Sequence, residues 1–267
     1  MPTLSKATLA VIVFGFSFIA LLFRWCCGVM LHQLCAPVMT YPYLDPALWV
    51  LHLLHIPEFL TGNAVAAWCF DIGMLVSAAV LTVWQPRGWV AAWVVCVFLY
   101  MECYNTYGGS HTHCLVGLLF APIPFLFREP RRFAFAMQGL RYYTLWIYAS
   151  AFGWKLLRGF MWQPLHGSGI IAAENALYLH QHPNTWLAHS LQWLILHPPY
   201  AQIIVVGGAL LQSVFWVGFF TKRFDKLLFV LPFLFHAATY FLLDVVFYEV
   251  LVLQVAFFKV SARKEGE

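Results

Sequence analysis

The chain has 267 residues, of which 62% are hydrophobic and only 10% charged, and its mean hydropathy is +0.76. An ordinary soluble domain carries about 25% charged residues, so this make-up excludes one. The net charge of +4 comes from Lys and Arg clusters between apolar runs, with no continuous basic face for nucleic acid, so it reads as a topology signal.

The expected fold class is all-α: one polytopic helical bundle over residues 1–267, integral to a membrane and without a soluble second domain. A helix needs roughly 20 apolar residues to cross about 30 Å of hydrocarbon. About eight transmembrane helices come near that by hydropathy. They are Ala7–Val29, Ala64–Trp84, Trp89–Tyr104, Ser110–Phe127, Phe135–Leu157, Tyr200–Phe220, Leu227–Leu243 and Val245–Phe258. The first follows Lys6 and has no small-residue cleavage site, as in a retained signal anchor. The run Leu227–Phe258 as one helix would reach about 48 Å at 1.5 Å per residue, so a tight reversal near Asp244 is expected.

Short cytoplasmic loops are enriched in Lys and Arg. With the N-terminus inside, the inner set is Lys6, Arg87, Arg128, Arg131, Arg132, Lys222, Arg223, Lys226, Lys259, Arg263 and Lys264. The expected localisation is therefore a multi-pass cell-membrane protein with both termini cytoplasmic. The connections Met30–Asn63 and Arg158–Pro199 are long, poor in charge and rich in Trp, Leu and Pro. In the first, Asp45-Pro46 is expected to start a short amphipathic helix running through Trp49, Leu51, Leu54 and Ile56. In the second, Pro183-Asn184 precedes a similar stretch from Thr185 to Leu196. Both suit the outer interface, where Trp and Tyr are at home.

The same topology puts His32, His52, His55, His111, His113, His166, His180, His182, His189 and His197 on outer loops or span ends, and only His236 deep in a span. Two readings stand side by side: an outward-facing site using imidazole as acid, base or ligand, and interfacial histidines that cap loops. The pairs His52-x-x-His55, His111-x-His113 and His180-x-His182 invite a metal, and the first would place both rings on one helical face. No third ligand follows any of them at metal-site spacing, so no metal is expected. Seven scattered Cys form no CxxC pair. Cys103 and Cys114 flank one short outer loop, and a disulfide and two free thiols are both open readings.

An ionisable group inside a span costs about 2.5–3.5 kcal/mol at the helix centre, so each needs a partner or a task. Asp71, Glu102, Arg141, Lys155, His236, Asp244 and Glu249 are such groups. Arg141 is expected to pair with a buried carboxylate or to snorkel inward. Lys155 sits about one turn from the outer end of its span, either as a partly desolvated base or as a lysine snorkelling to the head groups.

The stretch Tyr148-Ala149-Ser150-Ala151-Phe152-Gly153-Trp154-Lys155-Leu156, followed by Trp162, resembles the Y-F-x-A-G-x-K-L … W signature of the HTTM superfamily. That superfamily includes the membrane part of vitamin K-dependent γ-glutamyl carboxylase and is distantly similar to DoxX-like and lipase maturation factor proteins. Asn105 through His113 resembles the family's Asn/His loop, and Phe235-His236-Ala237 its late-span F-H. The resemblance implies that Lys155 corresponds to the lysine that deprotonates a reduced quinone, with His111 or His113 assisting. It further implies an outward pocket that binds a quinone or lipid-like molecule for carboxylase or oxidoreductase chemistry. Tyr148, Trp162 and His236 are its ligand-binding candidates, joined by Glu174, the only acid of the second outer connection. The chain departs from the signature where the alanine-glycine pair reads Ala151-Phe152-Gly153-Trp154. The competing reading is non-enzymatic: a maturation or assembly factor that holds a membrane or secreted partner through Trp-rich outer loops. No inverted repeat suggests a transporter.

Overall fold

The computed structural model describes residues 1–34, 46–105, 115–245 and 247–260, and shows an all-α membrane protein. Four helical stretches among the described residues are long and apolar enough to cross a membrane: Lys6–Gln33, Ala64–Val83, Pro198–Phe220 and Asp225–Leu243. They fall on expected segments because unbroken apolar sequence is the strongest signal a membrane imposes. The chain divides into two compact units, with the boundary between Leu140 and Arg141 inside one long helix.

The first unit comprises Pro2–Leu140 together with the C-terminal segment from Tyr248. Strand β1 (Thr3–Leu4) leads into helix α1 (Lys6–Cys26), whose N-cap Ser5 accepts a hydrogen bond from the Thr8 backbone N–H. A 3-10 turn, Leu31–Gln33, follows α1. The stretch ahead of the second candidate span forms two short helices, α2 (Pro46–Leu53) and α3 (Ile56–Gly62). The expected single helical face for His52 and His55 does not form, because α2 ends at Leu53 and His55 takes a left-handed conformation with φ 53°. Instead His52 Nδ1 pairs with Glu58 Oε1 at 2.6 Å. Partial burial opposes ionisation of Glu58, but the His52 hydrogen bond and the nearby imidazoles hold its carboxyl below the usual value.

Helix α4 (Ala64–Val83) is capped by Asn63, whose side chain accepts from the Val65 and Ala66 N–H groups. Helix α5 (Arg87–Asn105) buries Val90, Trp93, Val97 and Tyr100, a stripe at three- and four-residue steps. The described part of the expected Ser110–Phe127 segment is a short helix α6 (Val116–Phe120) and a 3-10 turn, Ile123–Leu126. Pro122 and Pro124 remove two backbone donors there, which explains the break. Residues Tyr248–Phe257, expected within an α-helical segment, form a 3-10 helix in which Glu249, Val250 and every residue from Val252 to Phe257 are buried. Strand β2 (Lys259–Val260) pairs in parallel with β1. Arg24 of α1 reaches Glu249 at 2.7 Å, joining residues 225 positions apart.

The second unit, from Arg141 to Phe247, starts in helix α7 (Pro130–Leu157). It continues through the interfacial-length helices α8 (His166–Glu174), α9 (Ala176–Gln181) and α10 (Trp186–Leu196). Thr185 caps α10 by accepting from the Ala188 N–H, at the expected start. Helices α11 (Pro198–Ser213) and α12 (Phe215–Phe220) together form one candidate span, and α13 (Asp225–Leu243) ends with Asp244 in a left-handed cap, φ 51°. The helix thus stops at the residue where a reversal is expected.

Gly117 of α6 lies directly against the Glu249 backbone carbonyl, so a Cβ there has no room unless the backbone moves. Gly117→Val is expected to destabilise the protein by about 3 kcal/mol or more. The measurement is the midpoint of thermal unfolding in detergent, with Gly139→Ala, where no atom lies within contact distance, as the control that should change little.

Candidate functional site

On helix α7, residues 141, 148 and 155 recur every seven positions. Seven steps of 100° return to nearly the same face, about 10.5 Å further along the axis. Arg141, Tyr148 and Lys155 therefore share one face, and each meets a polar or aromatic group from α11, α12 or α13.

At the first level Arg141 is almost fully buried, and its Nη2 donates to Asp225 Oδ1 at 2.6 Å and to the Gly218 and Thr221 carbonyls at 3.0 and 3.2 Å. This is the buried carboxylate partner expected for Arg141, supplied by the first turn of α13. Next along α7, Leu145 packs against Gly218 and the same glycine faces Leu228, so a small residue lets the three helices close up. At the third level the Tyr148 hydroxyl lies 3.1 Å from His236 Nε2, while the Tyr148 ring stacks on Phe215 with centroids 4.4 Å apart. His236 is nine-tenths buried, and its Nδ1 has no hydrogen-bond partner among the described residues.

At the fourth level Lys155 Nζ donates to Gln212 Oε1 at 2.8 Å. The rings of Phe235 and Phe160 lie 5.7 and 6.0 Å from the ammonium. No carboxylate pairs with Lys155 among the described residues. A half-buried cation thus rests on a neutral amide and two aromatic faces. Phe160 is held in turn by Gln202, whose Nε2 donates to the Phe160 carbonyl at 3.2 Å while its Oε1 accepts from Gly167 N–H at 2.8 Å.

Tyr148 and His236 are brought together, as is Lys155 with a neutral acceptor that sequence reasoning did not single out. The signal for Gln212 was available: it is one of two uncharged amides in the Tyr200–Phe220 run, and a buried amide among apolar residues needs a partner. Glu174 is exposed at the last position of α8, and its carboxylate forms no ion pair among the described residues. Trp162 ends a 3-10 turn and is 74% exposed. His111 and His113 lie outside the described residues, as does Cys114, so the loop assigned to them by resemblance and the Cys103–Cys114 alternative lie there too. Among the described residues no three His, Cys, Asp or Glu side chains gather as a metal site.

No family model, curated protein or solved structure matches the chain.

Removing the Tyr148 hydroxyl leaves both His236 nitrogens unsatisfied. Tyr148→Phe should therefore cost about 1–2 kcal/mol. Arg141→Gln, which strands the Asp225 carboxylate, should cost more, about 3–5 kcal/mol. Unfolding midpoints in one detergent check the order; equal losses would mean that Arg141 is not held as described.

Proposed function

We propose that this chain is a polytopic membrane protein of HTTM type that binds a quinone or other lipid-like molecule at Lys155. In this reading the eight segments expected from hydropathy cross the membrane and both termini are cytoplasmic. Lys155 then lies toward the outer end of α7, and Arg141 toward the inner end. The observation that carries the reading is the ammonium of Lys155, held between Gln212, Phe160 and Phe235 without a carboxylate.

A lysine in an apolar bundle without a counter-ion favours a ligand that brings an electron-rich oxygen. The donor set fits a quinone head group: Lys155 supplies N–H donors for a ring oxygen, and Phe160 and Phe235 supply faces for the ring. When bound, a reduced quinone would contribute an acidic hydroxyl and reducing electrons. The protein side of the site orients the head group, excludes water through its aromatic walls and places a proton acceptor or donor at Nζ. His111 and His113 are proposed assistants on the strength of the resemblance. His236 and Tyr148 form the deeper polar pair on the same face of α7.

A second reading, a maturation or assembly factor, is favoured by the exposed aromatics Trp162, Trp186 and Trp193. These rings suit a partner surface as well as lipid head groups.

The test is mass spectrometry of the organic extract from detergent-purified wild type and Lys155→Ala. The reading expects one quinone or lipid-like species enriched in wild type and lost from the variant. Identical extracts containing only bulk membrane lipid would overturn it and favour the partner-holding role.

A further inference from the structure

Cations from the start, the middle and the end of the sequence converge in the first unit. Lys6 opens α1, Arg87 opens α5, Arg131 and Arg132 lie in the first turn of α7, and Arg128 precedes that helix. Lys6 Nζ donates to the Phe127 carbonyl at 2.8 Å, and Arg87 Nε donates to the carbonyl of the preceding residue, Leu126, at 2.7 Å. Two cations from different helices thus meet consecutive carbonyls, directly ahead of Arg128. Pairing of β1 with β2 sets Lys259 beside Thr3, close to the start of α1.

Glu129 is the one acid in the Arg128–Arg132 stretch, and Arg132 engages it at 2.8 Å. Arg87, Arg128, Arg131 and Lys259 are exposed, and none of them pairs with a carboxylate among the described residues. Guanidinium groups stay protonated in proteins, so the sign of this patch is fixed. Arg87 is also oriented: Nε holds a carbonyl, while its Nη groups take no partner among the described residues and remain as donors.

The patch lies at the ends of two candidate spans, since Lys6 is the first residue of Lys6–Gln33 and Arg87 follows Ala64–Val83. Helix α4 runs antiparallel to α1: its Asp71 meets His32 after α1, and Thr82 in its last turn packs beside Gly15. Lys6 therefore lies beyond the end of α4, past the apolar length of that span. The exposed indoles of Trp84 and Trp89, 5.8 Å apart, flank Arg87 in the sequence, and Trp favours the membrane interface.

We propose that Arg87, Arg128 and Arg131, bordered by Lys6 and Lys259, form a docking surface for the head group of an anionic phospholipid, separate from the Lys155 site. The phosphate takes the Nη donors of Arg87, and Arg128 and Arg131 add positive charge beside it. The acyl chains run back past the indoles along the exposed apolar side of α4, which carries Val76 and Val83. A zwitterionic head group brings its own cation to a positive patch and is disfavoured. A soluble anion would use the arginines but neither the indoles nor the apolar side of α4.

The full chain is reconstituted in nanodiscs of equal parts dioleoyl phosphatidylglycerol and dioleoyl phosphatidylcholine, and lipids retained after mild detergent release are counted by native mass spectrometry. The surface predicts retention of phosphatidylglycerol at least about fivefold above phosphatidylcholine, the scale of one surface cation acting on an anionic lipid. Arg128→Gln/Arg131→Gln breaks no hydrogen bond among the described residues, so it should keep its unfolding midpoint and lose most of the preference. If that variant proves unstable, Arg87→Lys decides, because it keeps the charge and removes the guanidinium donors; an unaltered preference there would overturn the proposal. Arg223→Gln/Lys226→Gln, a charge-matched control in the second unit, should leave the preference intact. No preference in wild type, a preference that survives in folded Arg128→Gln/Arg131→Gln, or an equal loss in the control, which would make net charge the cause, would each overturn the proposal. Displacement of the lipid by added inorganic phosphate would also overturn it and assign the arginines to a soluble anion.

Discussion

A charge placed among hydrocarbon must find a partner, and in this chain the search for partners decides which helices meet. Arg24 meets Glu249, Arg141 meets Asp225 and His32 meets Asp71, joining positions 225, 84 and 39 residues apart. Apolar surfaces slide past one another in lipid at little cost, since the tails are as apolar as Leu. A guanidinium bonded to one carboxylate and two carbonyls does not slide. The register of α7 against α12 and α13 is thus set at Arg141, and everything further along the same face follows at helical spacing.

That spacing explains why Tyr148 and Lys155 both face α13 and the span formed by α11 and α12. Gly218 provides the close approach, Phe215 supports the Tyr148 ring, and Gln212 arrives opposite Lys155. Arg141 has a carboxylate and Lys155 has only an amide. The difference between the two ends of the face is the basis of the functional proposal: Arg141 is paired with a carboxylate, and Lys155 rests on a neutral amide.

Much of the helical frame is visible in the sequence. Four long apolar runs, the Asn63 and Thr185 caps and the helix end at Asp244 follow from hydropathy, capping chemistry and length. Arg141 and Asp71 are legible as groups that need partners, but which partners they take depends on tertiary contact, which no local pattern encodes. The 3-10 geometry of Tyr248–Phe257 is also hidden, because its composition is that of an apolar helix and its close approach to Gly117 is a tertiary contact. Lys155 stands out through its apolar context and its resemblance to a family motif, whereas Gln212 shows in the sequence only as an amide in an apolar run, with its partner set by helix packing. His55 misleads for a local reason: its left-handed backbone ends the helical face that the i, i+3 spacing suggests.

The most direct test of a ligand-holding Lys155 is its reactivity toward a membrane-permeant amine acylating reagent, read by peptide mass spectrometry against exposed Lys226. The protein is labelled as purified and again after exhaustive delipidation. If Lys155 holds an amphiphile, it is protected relative to Lys226 in the first sample, becomes reactive after delipidation, and is protected again when the extract is returned. Equal labelling of Lys155 in all three samples would show a lysine that merely reaches the membrane surface, and would contradict the account.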